Sequence, residues 1–185
     1  MNNIWFTSDL HFNHERDFIY APRGFESAAA MNEQIIKNLH EVVEYNDDLW
    51  ILGDIIMGDL EAGKKLIKQI PGRVHVIVGN HDSAPRIQAY RDARFNVHEA
   101  GLLIKMKGQT LLLSHFPTMT QNFDFKPLSR EVINFHGHTH QESNYTKDQF
   151  CMYHVGVDSH NNYPVLFEDA IDDIIDLRKK NKLIY

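Results

Sequence analysis

The sequence predicts an α/β layered fold with mixed sheets, and three observations predict it. Short apolar runs alternate with amphipathic helical stretches in the first half of the chain, and strand-like runs dominate the second half. Five of the apolar runs then end on fragments rich in Asp, His and Asn: Asp9-Leu10-His11, Gly53-Asp54, Gly79-Asn80-His81-Asp82, Ser114-His115 and Gly137-His138-Thr139-His140. Functional loops of open α/β sheets gather at the carboxyl ends of strands, so these fragments point to one shared site, most simply a pair of metal ions.

In order along the chain, Ile4 to Thr7 reads as a buried strand ending at Ser8-Asp9. A helix follows the Pro22/Gly24 break, with Met31, Ile35, Ile36, Leu39, Val42 and Val43 at helical spacing. Asp48 to Leu52 is the next strand. Asp59 reads as the N-cap of a helix carrying Leu60, Leu66, Ile67 and Ile70 on one face, which Pro71-Gly72 stops. Val74, Val76, Ile77 and Val78 form a third strand, and a short helix is expected from Pro85 to Asp92. Asn96 to Met106 and Thr110 to Leu113 read as two or three strands, with Lys107-Gly108 as a hairpin turn. Val132 to Phe135, Gln149 to Val157 and Pro164 to Phe167 are further strands, and Ile171, Ile174, Ile175 and Leu177 suggest a closing helix. No repeat, linker or low-complexity stretch divides the chain, so residues 1–185 are read as a single domain.

The chain has 185 residues, 43% hydrophobic and 24% charged, which allows a sizeable core and excludes a disordered composition. Formal net charge is −6 and Arg178-Lys179-Lys180 is the one basic run, so extended nucleic acid is not an expected partner. Cys151 is the only cysteine, which excludes an intrachain disulfide and fits a reducing compartment. The N-terminus shows no basic and apolar leader pattern, and no apolar stretch is long enough to span a bilayer. The expectation is a cytoplasmic protein with no membrane partner.

Asp9 and His11 stand two apart at a strand end, as do His138 and His140. In an extended segment residues i and i+2 point the same way, so Asp9 and His11 can both reach one ion, and the second pair shares that spacing. Gly137 is expected to permit a tight backbone path, with Thr139 pointing away. The two oxygens of Asp54 suit a bridge between ions, Asn80 offers a neutral amide oxygen, and His115 adds an imidazole. Mixed N/O ligation without thiolate suits Mn, Fe, Zn, Ni or Co. Each fragment alone has a plainer reading. Asp-x-His is an ordinary loop, Gly-Asn-His-Asp a type I′ or Asx turn, and Gly-His-Thr-His a structural zinc site, although such sites are usually closed and cysteine-rich. The ordered conjunction favours the shared site.

Together these fragments resemble the signature of calcineurin-like metallophosphoesterases, over residues 4 to about 167. The resemblance implies a four-layer αββα sandwich, two mixed sheets flanked by helices, with a dinuclear metal site. One divalent ion would take Asp9, His11, Asp54 and His140; the other would take Asp54, Asn80, His115 and His138, with Asp54 bridging. Mn is the expected metal, ahead of Fe, Zn or Ni. His81 matches the family histidine that lies beside the metals, contacts phosphate and assists the leaving group. The implied chemistry is attack on phosphorus by a hydroxide bridging the ions. Asp82 is expected either to orient His81 or to cap the helix before Pro85.

One departure bears on substrate. Protein phosphatases of this superfamily resemble Gly-Asp-x-Val-Asp-Arg-Gly at the second motif, where this chain has Gly53-Asp54-Ile55-Ile56-Met57-Gly58-Asp59. The phosphate-gripping arginine and the Asp that would pair with His81 are both missing. The chain therefore looks closer to small prokaryotic and phage-type phosphoesterases. Asp9-Leu10-His11-Phe12-Asn13-His14 and Gly156-Val157-Asp158-Ser159-His160-Asn161, followed by Pro164, support that likeness. The expectation is a phosphodiesterase acting on nucleotides or similar small phosphoesters. The alternatives are a phosphomonoesterase or phosphoprotein phosphatase, a nuclease, and a non-catalytic binding scaffold. His14 and Asn161 are candidates for the rim of the substrate pocket. Arg23, Arg86 and Arg130 lie in loop-like segments and are left out of the site; His40, His75 and His98 are read as structural or exposed, and His136, before the Gly137 turn, as structural or as a support behind the ligands.

Overall fold

The computed structural model describes residues 2–120, 128–146 and 149–181. The first sheet is assembled from β10 (Val165–Leu166), β1 (Ile4–Thr7), β2 (Asp48–Ile51), β3 (Arg73–Ile77) and β4 (Asn96–His98), in that spatial order. β1 to β4 run parallel and β10 antiparallel to β1. Parallel neighbours need crossovers, and helices supply them. The short α1 (Asp17–Tyr20) and α2 (Ala28–Val42) join β1 to β2, α3 (Leu60–Ile67) joins β2 to β3, and α4 (Ala84–Asp92) joins β3 to β4. The second sheet has the order β5 (Leu102–Met106), β6 (Gln109–Leu113), β7 (Val132–His136), β9 (Gln149–His154) and β8 (Tyr145–Thr146). Here β6, β7 and β9 run parallel, with antiparallel β5 and β8 at the edges. Helix α5 (Phe167–Lys180) closes the chain.

Alternation along each strand builds two cores. In β2, Leu49 and Ile51 point to one side, where with Val74 and Val76 of β3 they meet Met31, Ile35 and Leu39 of α2, Ile67 of α3 and Tyr90 of α4. Trp50, Leu52 and Ile77 point to the other side and meet Leu111, Leu113, Ile133, Phe135 and Tyr153 of the second sheet. Phe6 and Phe135 join the sheets edge to face, with ring centroids 4.9 Å apart. α5 packs on β9, β10 and β1, and its Phe167, Ala170 and Ile174 enter the inter-sheet core. Two mixed sheets flanked by helices is the α/β arrangement the sequence predicts.

Local signals set the helix ends. Asp59 caps α3 as expected, accepting from the Ala62 N–H at 2.7 Å. Ser27 does the same for α2 at 3.1 Å from Ala30 N. Ile70 is buried but lies beyond α3, in the turn before Pro71-Gly72. α1 and β8 are too short to leave a periodic pattern, and the sequence does not announce them. Among the described residues, no helix is long and apolar enough to cross a membrane.

Candidate metal centre

Because β1, β2 and β3 are parallel, and β6 and β7 likewise, their carboxyl ends deliver all five fragments to one end of the two sheets. Backbone hydrogen bonds splice the fragments together. Asp9 N–H donates to Gly53 O and His11 N–H to Asp54 O, both at 3.0 Å, and Gly137 N–H donates to His115 O at 3.0 Å.

Asp9 and His11 do converge, with His11 Nε2 3.8 Å from Asp9 Oδ1, but not by the expected route, whereas His138 and His140 part, His140 toward Asp9 and His138 toward Asn80. Asp9, His11, His138 and His140 are not extended: their φ angles are 56°, 50°, 69° and 47°, and Asp54 is at 56°. Left-handed backbone is unfavourable for residues with a Cβ and persists only where the surroundings over-determine it. Here it curls each fragment inward so that its side chains face the centre. Gly137 is needed for close approach rather than for a turn, since a Cβ there would lie 2.4 Å from Asp9 Oδ2. Gly79 plays the same part beside Asp54, whose Oδ1 would be 2.3 Å from an added Cβ.

Each buried carboxylate has one oxygen tied down and the other aimed inward. Asp9 Oδ2 accepts from the Ser8 hydroxyl at 2.6 Å and from His138 N–H at 2.9 Å, while Oδ1 is buried with no hydrogen-bond partner. Asp54 Oδ1 accepts from His81 N–H at 2.9 Å, and Oδ2 faces His115 Nε2 at 3.4 Å, His11 Nε2 at 3.9 Å and His81 Nε2 at 4.0 Å. Burial pushes the Asp54 carboxyl above the ordinary range; His115 and the His81 amide oppose this, and Asp82 and Asp9 add to it. So many inward acceptors in one buried place need a cation.

The histidines show the same polarity. Both ring nitrogens of His11 are buried without a partner, and burial, with His140 and Arg23 nearby, pushes its pKa down to about 2. It is therefore a neutral imidazole with a lone pair to offer. His115 Nδ1 lies 2.8 Å from Leu52 O, which only accepts, so the proton sits on Nδ1 and Nε2 presents its lone pair. That Nε2 is 2.7 Å from Asn80 Oδ1, and His138 Nδ1 is 3.0 Å from the same oxygen. His140 Nε2 stands 3.8 Å from Asp9 Oδ1. Two sets of donor atoms fall within 4.8 Å of one another: Asp9, His11 and His140, and Asp9, Asp54 and His115. These donors, partnerless or converging on one another, fit divalent metal.

Arg23 and Asp158, neither assigned to the site from sequence, form a buried pair behind it. The Arg23 guanidinium donates to both Asp158 oxygens at 2.8 and 3.0 Å and to Asp9 O at 2.9 Å. Asp158 Oδ2 in turn lies 3.1 Å from His140 Nδ1. Burial works to raise the Asp158 pKa, but the His140 contact and the Arg23 charge outweigh it and hold the carboxyl well below its usual range. An ionised carboxylate there fixes the proton of His140 on Nδ1 and turns Nε2 toward Asp9. Nothing local marks this pair, because its members are 135 residues apart.

Asp82 meets neither expectation. It does not orient His81, and α4 begins after Ser83 with no side-chain cap. Its Oδ2 instead accepts from Asp54 N–H at 2.9 Å and Gly79 N–H at 2.8 Å, and Tyr90 O–H donates to its Oδ1 at 2.6 Å. It clamps the second and third fragments together. Arg86 donates to the carbonyls of His81 and Met57, so it holds a loop instead of facing the centre. Of the rim candidates, half-buried His14 stacks on His11 with centroids 5.3 Å apart. Asn161 is exposed and lines a cleft with Pro22, Arg23, His140 and Glu142. His136 is fully buried with Nδ1 2.9 Å from Gly137 O, and His75 stacks on Trp50 at 4.3 Å, which are structural positions.

A two-sheet α/β fold whose strand ends gather Asp, His and Asn around partnerless donor atoms defines an α/β protein with a candidate metal centre. The chain belongs to the calcineurin-like phosphoesterase superfamily, whose domain model matches residues 3–160. The Gene 66 protein of Mycobacterium phage D29 is 34% identical over 207 aligned residues, covering 94% of this chain and 98% of its own length. An uncharacterised protein of Methanocaldococcus jannaschii is 30% identical over 190 residues, covering 100% of this chain and 96% of its own. Among solved structures, a protein of unknown function from Aquifex aeolicus superposes with a TM-score of 0.69 at 24% identity, covering 94% of this chain and 100% of that one. That last likeness is one of fold.

Proposed function

We propose that this protein is a dinuclear metal-dependent phosphodiesterase acting on nucleotides or similar small diesters, within one domain and in a cytoplasmic setting. The observation that carries the reading is the set of buried donors with no hydrogen-bond partner, Asp9 Oδ1 and both nitrogens of His11, beside the inward-facing Asp54 Oδ2. Asp9, His11, Asp54 and His140 would hold one ion, and Asp54, Asn80, His115 and His138 the other, with Mn ahead of Fe, Zn or Ni. When bound, two such ions turn water into a nucleophile at neutral pH and offset charge on the phosphoryl oxygens.

The chain's own residues then have distinct tasks. His81 is the most exposed of the histidines around Asp54 Oδ2, with 45% of its side chain accessible. Its backbone is tethered to Asp54 and Arg86, so its ring is presented over the centre. From there it can contact a phosphoryl oxygen and pass a proton to the departing alkoxide. The segment after Asp54, Ile55-Ile56-Met57-Gly58-Asp59, has no arginine to grip a phosphoprotein's phosphate, and its Ile55 and Ile56 are buried while Asp59 caps α3. This supports small diesters over phosphoproteins.

The test is direct. Metal-free protein is given Mn²⁺ and offered 4-nitrophenyl phosphate and bis(4-nitrophenyl) phosphate. Metal-stimulated turnover, faster on the diester, is expected. Faster turnover of the monoester moves the reading to a phosphomonoesterase, and no metal-stimulated turnover of either removes the enzyme reading.

A further inference from the structure

Five large apolar side chains stand exposed among the described residues: Phe18, Tyr45, Leu103, Phe116 and Met119. Scattered singly, such residues need no explanation. Their placement here is uneven. Tyr45 precedes β2, at the end of the sheet away from the metal centre, and Leu103 lies on edge strand β5. Phe18 lies on α1, a few residues after the first fragment, and Phe116 and Met119 lie in the segment after β6 that carries His115. Phe18 is 66% exposed and packs edge-on against His14, centroids 5.5 Å apart, and His14 stacks on His11. Phe116 is 49% exposed and packs edge-on against His138 at 4.6 Å and His115 at 5.1 Å. One ring thus flanks the His11 side of the centre and the other the His115–His138 side.

Phe116 is not exposed for want of anchorage. Its carbonyl accepts from the Ser114 hydroxyl at 2.8 Å and the Thr118 hydroxyl at 3.1 Å, and Thr118 N–H donates to buried Asn134 Oδ1 at 2.7 Å. The loop holds an aromatic ring in water beside a site for phosphate chemistry. A phosphodiester carries an organic group on each side of phosphorus, and two flanking rings match two such groups. The chemistry that uses an exposed phenyl face next to a phosphate is stacking of a nucleobase. With a net charge of −6, a long polyanion is disfavoured and a short one is not.

We infer that Phe18 and Phe116 are stacking platforms for the two bases of a dinucleotide or short oligonucleotide whose phosphodiester sits at the metal centre. This rests on the phosphodiesterase reading and names its substrate. The experiment uses Mn-loaded protein, with adenylyl-adenosine and ethyl 4-nitrophenyl phosphate as the two diesters. The variants are Phe18→Ala, Phe116→Ala, the double variant, and Phe116→Trp and Phe116→Leu. Each alanine is expected to lower kcat/KM for the dinucleotide about tenfold, chiefly through KM, and by a larger factor than for the ethyl ester. Tryptophan should restore it and leucine should not. Equal losses on both diesters, or full activity with leucine, would overturn the platform, the latter pointing to an alkyl substituent. Binding of a phosphorothioate dinucleotide by calorimetry needs no turnover. If wild-type protein hydrolyses neither diester, the enzyme reading fails, and unchanged affinity in the double variant would separately remove the platform.

Discussion

The two flanks of the centre are built differently. On the Asp9–His11–His140 flank nearly every proposed ligand is held from behind. Ser8 and the His138 amide fix Asp9, and Asp158 fixes His140 with Arg23 behind it. Asp9 and His11 are deeply buried there, at 0% and 2% exposed, while His140 is partly accessible. On the Asn80–His115–His138 flank only His115 has a backbone partner behind its ring, the Leu52 carbonyl. Asn80 is exposed and His138 partly so, and Asp54 is that flank's one proposed carboxylate. The difference teaches that one side is a pre-organised pocket with two carboxylates, and the other an open, charge-poor one. Desolvation and fixed geometry favour tight cation binding on the first, and access favours exchange with solvent and substrate on the second.

The largest expected effect comes from the residue common to both flanks. Asp54→Asn should reduce turnover to background and lower metal content on both sides, as read by elemental analysis; two retained ions with normal turnover would break the shared-ligand assignment. His81→Ala should reduce turnover by roughly 10²–10⁴-fold with metal content unchanged, because it serves the reaction and not the ions. Loss of metal in that variant would move His81 among the ligands.

The flanks themselves are separated by a pair of variants. Asp158→Asn should weaken one ion about 10–100-fold in a competitive chelator titration, as expected when the group orienting a ligating histidine is altered. Asn80→Ala should strip the other ion and leave the tighter one, so that stoichiometry falls from two to one. If Asp158→Asn weakens both ions equally, the flanks are not distinct. Smallest is Tyr90→Phe, which deletes the hydroxyl donor to Asp82. It should cost about 1 kcal/mol in urea unfolding with the metal sites intact.

Much of the fold was legible because it rests on local periodicity. The β2 run Leu49, Trp50, Ile51 and Leu52 is apolar throughout because both of its faces are buried, and Asp59 announces α3 by its own hydrogen bond. The converging side chains were legible as residue types at strand ends. Their geometry was not: the expected extended pairs are left-handed, held so by neighbours from other fragments. Adjacency suggests that Asp82 contacts His81, whereas its side chain turns to the amides of Asp54 and Gly79. In sequence Arg23 is one loop arginine among three, and only its burial against Asp158 distinguishes it.

The sequence by itself determined the class of fold, the five fragments that meet at the centre, and the kinds of donor atom they bring. Those follow from hydrophobic pattern and side-chain chemistry, which act within a few residues. Only the tertiary structure decided which oxygen of Asp9 and Asp54 stays free, that Arg23 and Asp158 stand behind His140, and that Phe18 and Phe116 border the site. These depend on parallel strands bringing residues more than a hundred positions apart into a shared low-dielectric space, where each acceptor must find a donor or a cation.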